Sequence, residues 1–257
     1  MRRLTLALFL ALAALAPGAD KNAEGPAKEP VAKKGFGLAE RKGKDAHHLE
    51  LLKVGWYYNW GSQTKLTTKA QFVPMIFSLK TVPPKTSNNE FILGYNEPDN
   101  TKQSDMSVKD ALKGWSEVTN KGKFVISPAM AGNAVTKDWL NDFMKGKPKV
   151  DAVAFHWYKG VDAAKFIKDL EELHAHFKKP IWVTEFAPQT VASSEESPDK
   201  FTHAQVKAFI EATTEFMEKT PWVQRYAWHD SGVGTSALFT EKGELTPTGK
   251  AYAAARK

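Results

Sequence analysis

Two glutamates carry the most chemistry in this sequence. Glu97 follows the apolar run of FILGYNEPDN (91–100), and Glu185 closes that of IWVTEF (181–186). Acids that stop apolar strands sit at the C-terminal strand ends, where a barrel collects its functional groups. Two carboxylates facing one cavity fit glycoside hydrolysis: one protonates the departing oxygen, and the other attacks the anomeric carbon or activates water. A separation of about 5–5.5 Å gives retention of configuration, and a wider one gives inversion. A lone Glu after a strand is usually a helix-start charge. Two of them, each ending an apolar run and one set in Asn-Glu-Pro, point to chemistry instead. Pro98 restricts the residue before it and predicts an extended Glu97.

Side-chain alternation assigns the neighbours. On 152–158, His156 and Tyr158 share a face and are expected in the site, with Trp157 opposite. On 54–60, Asn59 and Trp60 reach the mouth. Trp228 ends the run 224–228 and is expected there too, as an aromatic platform for a sugar ring. Ile181, Val183 and Glu185 share a face, which sends Trp182 toward the helices. Trp115 and Trp139 lie on apolar helix faces and belong to the core. His47, His48, His174, His176 and His203 show no ligand spacing, so no metal site is expected, and His229-Asp230 reads as a solvated loop pair. No nucleophile elbow is present for a Ser-His-Asp site.

These residues need a scaffold that brings strand ends together. Eight β-rich runs occupy 35–39, 54–60, 72–77, 91–95, 123–127, 152–158, 181–186 and 224–228. Several are nearly continuous apolar runs, as in a parallel sheet covered on both faces. Amphipathic segments separate the later ones. Ser107 to Asp110 opens one with a capping-box pattern, Thr136 another, Asp162 a third, and 202–218 forms a fourth. Residues 61–71 and 78–90 are too poor in apolar residues for full helices. The pattern predicts an α/β fold, a (β/α)8 TIM barrel with thin or irregular first helices. A doubly wound open sheet would show a Gly-rich phosphate turn, which is missing.

The 257 residues suit one such barrel. The net charge of +7 is spread among acids without the basic stripe that nucleic-acid binding needs. With no cysteine, disulfides and thiolate metal sites are excluded. The start, MRRLTLALFLALAALAPGAD, has a basic head, an apolar stretch too short for a bilayer and small residues after it. It reads as a signal peptide over 1–19, which predicts a secreted or periplasmic protein. Residues 20–34 read as a disordered linker and 35–257 as the catalytic domain. No other segment is apolar for long enough to cross a membrane, and a monomer is expected.

The blocks YYNW, LGYNEPD, AFHWY, IWVTEFA and LFTEKGELTPTGKAY, in this order, resemble glycoside hydrolase family 128. The resemblance runs from about residue 35 to residue 253. It implies a clan A barrel that cleaves β-1,3-glucan with retention and needs no cofactor. It also implies roles: Glu97 as acid/base, Glu185 as nucleophile, Asn96 as the contact to the sugar 2-hydroxyl, Tyr158 beside the nucleophile, and Trp228 as the floor under the reacting sugar. Tyr95 stands where phenylalanine is more usual, and the loop 229–236 does not match. The expected activity is that of an endo-β-1,3-glucanase with a polysaccharide substrate. A non-catalytic polysaccharide-binding barrel and a clan A hydrolase of another β-glycan are the alternatives.

Overall fold

The computed structural model describes residues 32–83, 88–190, 193–194, 196–229 and 233–255. The expected signal peptide and most of the expected linker lie outside them. Eight parallel strands follow one another in chain order: β1 (Lys34–Gly37), β2 (Trp56–Tyr58), β3 (Gln71–Phe72), β4 (Asn89–Leu93), β5 (Gly122–Ile126), β6 (Val153–Trp157), β7 (Ile181–Phe186) and β8 (Val223–His229). Six pair in the order β3-β2-β1-β8-β7-β6, and β4 pairs with β5. Two seams close the ring, through the bridges Met75 to Leu93 and Ile126 to Ala152. Proline explains the first seam. Pro74 has no N–H to give to a ladder, so β3 stops early, yet its carbonyl still accepts from Leu93 N at 2.9 Å. The result is the TIM barrel that the sequence predicts.

The barrel interior is filled by Trp56, Tyr58, Met75, Leu93, Ile126 and Trp182 against small residues such as Ala152, Ala154 and Ala227. Large rings facing small ones let the layers fill the space. The two glycines of β1 make this possible: a Cβ on Gly35 would stand 2.3 Å from the Trp56 indole, and one on Gly37 would stand 3.0 Å from the Tyr58 hydroxyl. Near the N-terminal end of β8, the buried Arg225 guanidinium lies 4.3 Å from the Phe91 ring centre and 4.6 Å from that of Trp182. Burial, only partly offset by Glu90, lowers its pKa to about 10.

Trp182 corrects an expectation. It is buried, but inside the barrel rather than under the helices. Strict alternation fails on β7 because the pairing slips: Phe155 faces Val183, but His156 faces Glu185. Thr184 is the extra residue, in the manner of a bulge. Ile181, Val183 and Phe186 therefore pack outward, and Glu185 turns in.

The outer ring is thin where predicted. Residues 61–71 contain no helix, and the described part of 78–90 holds only a 3-10 turn at Leu79–Thr81. The later helices are α2 (Val108–Lys113), α3 (Ser116–Thr119), α4 (Asp138–Lys145), α5 (Ala163–Phe177) and α6 (His203–Lys219). Ser107, Asp162 and Thr202 cap α2, α5 and α6 through their side chains. Thr136 does not cap α4; Asn133 Oδ1 accepts its N–H at 3.1 Å, and the helix begins two residues later. Short helices α1 (Ala46–Leu52) and α7 (Pro247–Ala254) complete the ring.

The expected linker end at residue 34 is also corrected, because Lys33 and Lys34 belong to the barrel. Lys33 Nζ donates to Met217, Glu218 and Thr220 carbonyls at the end of α6. Lys34 Nζ, buried, donates to Tyr252, Ala253 and Ala255 carbonyls at the end of α7. Each ammonium thus satisfies orphan carbonyls at the negative end of a helix. None of the helices in the described residues is long and apolar enough to cross a membrane.

Thermal melting checks two consequences. Gly35→Ala should destabilise the fold by about 1–3 kcal/mol through overpacking against Trp56. Tyr95→Phe should hold or raise stability, by up to about 1–3 kcal/mol, because the buried Tyr95 hydroxyl has no partner among the described residues.

Candidate active site

Glu97 is held by two neighbouring strand extensions. Asn96 N donates to Phe77 O, and Glu97 N donates to Ala129 O at 2.8 Å. The turn then closes through Asn100 N to Glu97 O and Met106 N to Pro98 O, both at 3.0 Å. These bonds outweigh the pre-proline preference. Glu97 is not extended as predicted but has φ 45°, a strained left-handed conformation for a non-glycine residue. Asp99 pins the facing loop, with one oxygen accepting from Ala131 N and the other from Gly132 N. Asn100 Nδ2 donates to Glu97 Oε2 at 3.0 Å.

Glu185 is 4% exposed, and a buried carboxylate needs donors to stay ionised. It has them on both oxygens. Trp60 Nε1 donates to Oε1 at 2.8 Å, and the Tyr58 hydroxyl lies 3.2 Å from the same atom. The Tyr158 hydroxyl donates to Oε2 at 2.5 Å. Burial alone would raise the Glu185 pKa, but His156, His229 and the Tyr158 and Trp60 donors outweigh it and hold it below the ordinary carboxylate value. Burial beside this anion pushes the Tyr58 and Tyr158 hydroxyls well above the ordinary phenol value, so both stay protonated donors.

His156 joins the two acids. Its Nδ1 lies 3.0 Å from Glu97 Oε1 and 3.5 Å from Glu185 Oε2. Burial opposes its charge, yet Glu185 and Glu97 together raise its pKa. One ligand atom from each of Glu97, His156 and Glu185 lies within 4.8 Å of the others. Among the described residues this is the one cluster of histidine and carboxylates compact enough to grip a metal ion. Its oxygens, however, already receive the Trp60, Tyr158 and Asn100 donors, which fits a proton-sharing trio.

The expected residues divide. Glu97, Glu185, His156, Tyr158 and Trp60 converge. Asn96 is buried beside them with an Oδ1 that meets no partner among the described residues. Asn59 does not touch the acids: Nδ2 donates to Glu40 and to Gln63 O, and Oδ1 accepts from Gly61 N, so it ties the loop after β2 and lines the cavity beside Trp60. Trp228 does not reach the mouth either. It is fully buried outside the strands, 5.1 Å from Phe186 and 5.4 Å from Tyr252 by ring centres, with Nε1 donating to Ser236 O. Parity explains this: Arg225 and Ala227 face in, so Tyr226 and Trp228 face out and His229 faces in. His229, Tyr58 and Asn100 are site residues that the sequence reading left out. Counting alternation from Trp56 would have found Tyr58.

Separate cavities meet the residues that hold the acids. A cleft of about 580 Å³ is lined by Arg41, Trp60, Phe77, Gln103 and His229, and a cavity of about 480 Å³ adjoins it at Arg41 and Trp60. Another cavity, of about 140 Å³, is lined by Asn133, His156, Tyr158 and Lys159.

A strand-end glutamate pair at the mouth of a TIM barrel is the arrangement of a glycoside hydrolase. Residues 35–252 match the model of the glycosyl hydrolase catalytic core family, and the chain belongs to that family. Among solved structures, it is similar to a glycoside hydrolase family 128 (subgroup I) endo-β-1,3-glucanase of Amycolatopsis mediterranei in complex with laminaripentaose, at 27% identity and TM-score 0.77, covering 88% of this chain and 100% of that one. The family 128 resemblance read from the sequence agrees with this similarity. A family 128 (subgroup VII) oligosaccharide-binding protein of Trichoderma gamsii shares the fold at 22% identity and TM-score 0.72, covering 89% of this chain and 96% of that one. The chain is also 28% identical over 219 residues to alkali-sensitive linkage protein 1 of Schizosaccharomyces pombe, covering 77% of this chain but only 40% of that longer protein.

The charged trio sets a pH dependence. His156 has a raised folded pKa, so its contribution to stability is complete below the ordinary imidazole value of 6.5 and is lost as pH rises through the raised value. Glu185 has a lowered one, so its contribution is present above the ordinary carboxylate value of 4.5 and is lost as pH falls through the lowered value. The melting temperature of the wild type minus that of His156→Asn should therefore fall as pH rises above the imidazole range. A difference that does not change with pH contradicts the assignment.

Proposed function

We propose that the protein is a retaining endo-β-1,3-glucanase that works by double displacement. The observation that carries this is the approach of the two acids, with oxygens within 4.8 Å of each other. Retaining pairs stand about 5–5.5 Å apart, whereas inverting pairs need about 6.5–9.5 Å to admit a water.

In the first step, Glu185 attacks the anomeric carbon. Its depressed pKa keeps it ionised for this. Glu97 gives its proton to the departing glycosidic oxygen, the C–O bond breaks, and a glycosyl ester forms on Glu185. In the second step Glu97 takes a proton from water, the water oxygen bonds to the anomeric carbon, and Glu185 is released. His156 fits both steps. A proton on Nδ1 with two carboxylates, or a proton on Glu97 with a neutral ring, gives the same net charge, so one proton can pass along the 3.0 Å contact without a change in the charge of the site. The Asn96 Oδ1, which meets no partner among the described residues, can accept from the sugar 2-hydroxyl.

Endo action is favoured by two separate cavities against the partners of the acids, one at Trp60 and His229 and one at His156 and Tyr158, since a chain cut internally must extend past the cleavage point in both directions. The bound laminaripentaose of the Amycolatopsis mediterranei structure favours a β-1,3-linked substrate here. The apolar leader of residues 4–15 favours export, to the periplasm or beyond the cell. The second reading, a binding barrel without turnover, has a fold precedent in the Trichoderma gamsii protein. Retention of both acids with donors on each speaks against it.

Linear β-1,3-glucan incubated with the protein should give a spread of intermediate oligosaccharides at early times, with β-anomers at the new reducing ends by proton NMR. Glu97→Gln should lower turnover of the polymer by about 10²–10⁴-fold and leave binding intact. Binding with no reducing ends released identifies the second reading. Single-sugar release from the outset refutes endo action.

A further inference from the structure

We propose that His229 is a positioning residue that braces the two ring donors gripping the nucleophilic carboxylate; this rests on the reading of Glu185 as nucleophile. Trp60 holds Oε1 of Glu185 and Tyr158 holds Oε2. Both donors lie past the ends of their strands, β2 ending at Tyr58 and β6 at Trp157. Trp60 also has φ 59°, so no regular ladder fixes its direction. His229, in contrast, is a member of β8 and pairs in register with Gly37 of β1. Its ring meets the Trp60 ring edge-on at 5.5 Å and 78°, and the Tyr158 ring edge-on at 5.4 Å and 87°. One strand-held imidazole thus touches both off-strand donors.

Gly37 leaves the room for this, because a Cβ there would stand 3.2 Å from the Trp60 ring. Edge-to-face aromatic contacts favour one relative orientation. If either donor rotates, its hydrogen bond to Glu185 lengthens and the attacking oxygen loses its line to the anomeric carbon, where small misplacements cost rate steeply. His229 also helps hold the Glu185 pKa down. The other titratable groups around Glu185 are Tyr58 from β2, Glu97 after β4, and His156 and Tyr158 from β6 and its end.

Two variants separate bracing from charge. His229→Ala removes both the ring and its titratable nitrogens, and His229→Phe keeps a ring edge that cannot be protonated. The expected result on β-1,3-glucan is a kcat about 10–100-fold lower in His229→Ala with KM little changed. His229→Phe should recover most of the plateau kcat, with the acid limb of its pH profile moved upward. Carbon-13 NMR of the Glu185 carboxyl, compared with Glu185→Gln for assignment, should show its pKa raised in both variants and most in His229→Ala. If His229→Ala does not fold, His229→Leu takes its place. Unchanged kcat in His229→Ala, a loss confined to KM, or His229→Phe as impaired as His229→Ala each overturns the proposal. A wild type that releases no sugar overturns the glucanase reading instead; the carboxyl titration then decides the bracing, which a larger rise in His229→Ala than in His229→Phe supports and equal shifts in the two variants reject.

Discussion

The structure depends on keeping one carboxylate charged where water is nearly excluded. An isolated buried anion is costly enough that it would take up a proton. Glu185 avoids this because Trp60 and Tyr158 each donate to one of its oxygens, the Tyr58 hydroxyl lies between Oε1 and Thr184 O, and His156 stands beside Oε2 with a raised pKa. No single segment supplies them. They come from β2 and β6 and the residues just past those strands, so the charge is stable only when the barrel is closed. The site and the closure of the fold are in this sense one interaction.

Several irregularities serve that closure. The slip at Thr184 turns Glu185 inward while Val183 and Phe186 continue to pack outward. Pro74 ends β3, so that the segment after it can lean on β4 and hold Asn96 through Phe77. Glu97 takes a left-handed conformation, and Asp99 ties its turn to Ala131 and Gly132. Departures of this kind gather at sites because the surrounding bonds over-determine them. On the opposite side of the strand layer, Trp157 and Trp228 pack outward as ordinary core. The lysine pair at 33–34 ties the ends of α6 and α7 to the start of β1.

Much of this was legible in the sequence because it follows from period and position. The eight runs, the thin early ring and the two glutamates at strand ends all come from apolar patterning, and the parity of His156 and Tyr158 held because β6 is regular. What was not legible has specific causes. A bulge adds a residue without changing composition, so Trp182 was assigned to the wrong side. Trp228 was placed by its position at a strand end, although parity with Tyr226 sends it outward. His229 read as a loop residue because β8 runs one residue further than its apolar pattern. Lys33 and Lys34 looked like linker because their partners are carbonyls about two hundred residues away, which no local pattern can reveal.

The central claim is that Glu185 becomes covalently bonded to sugar during turnover. An activated β-1,3-linked disaccharide carrying fluorine at C2 of the reacting sugar slows release of the glycosyl-enzyme and lets it accumulate. Mass spectrometry of the digested protein should then find one added glycosyl group, on the peptide containing Glu185 and absent in Glu185→Gln. A label on another residue, or no label alongside products of inverted configuration, would contradict the account.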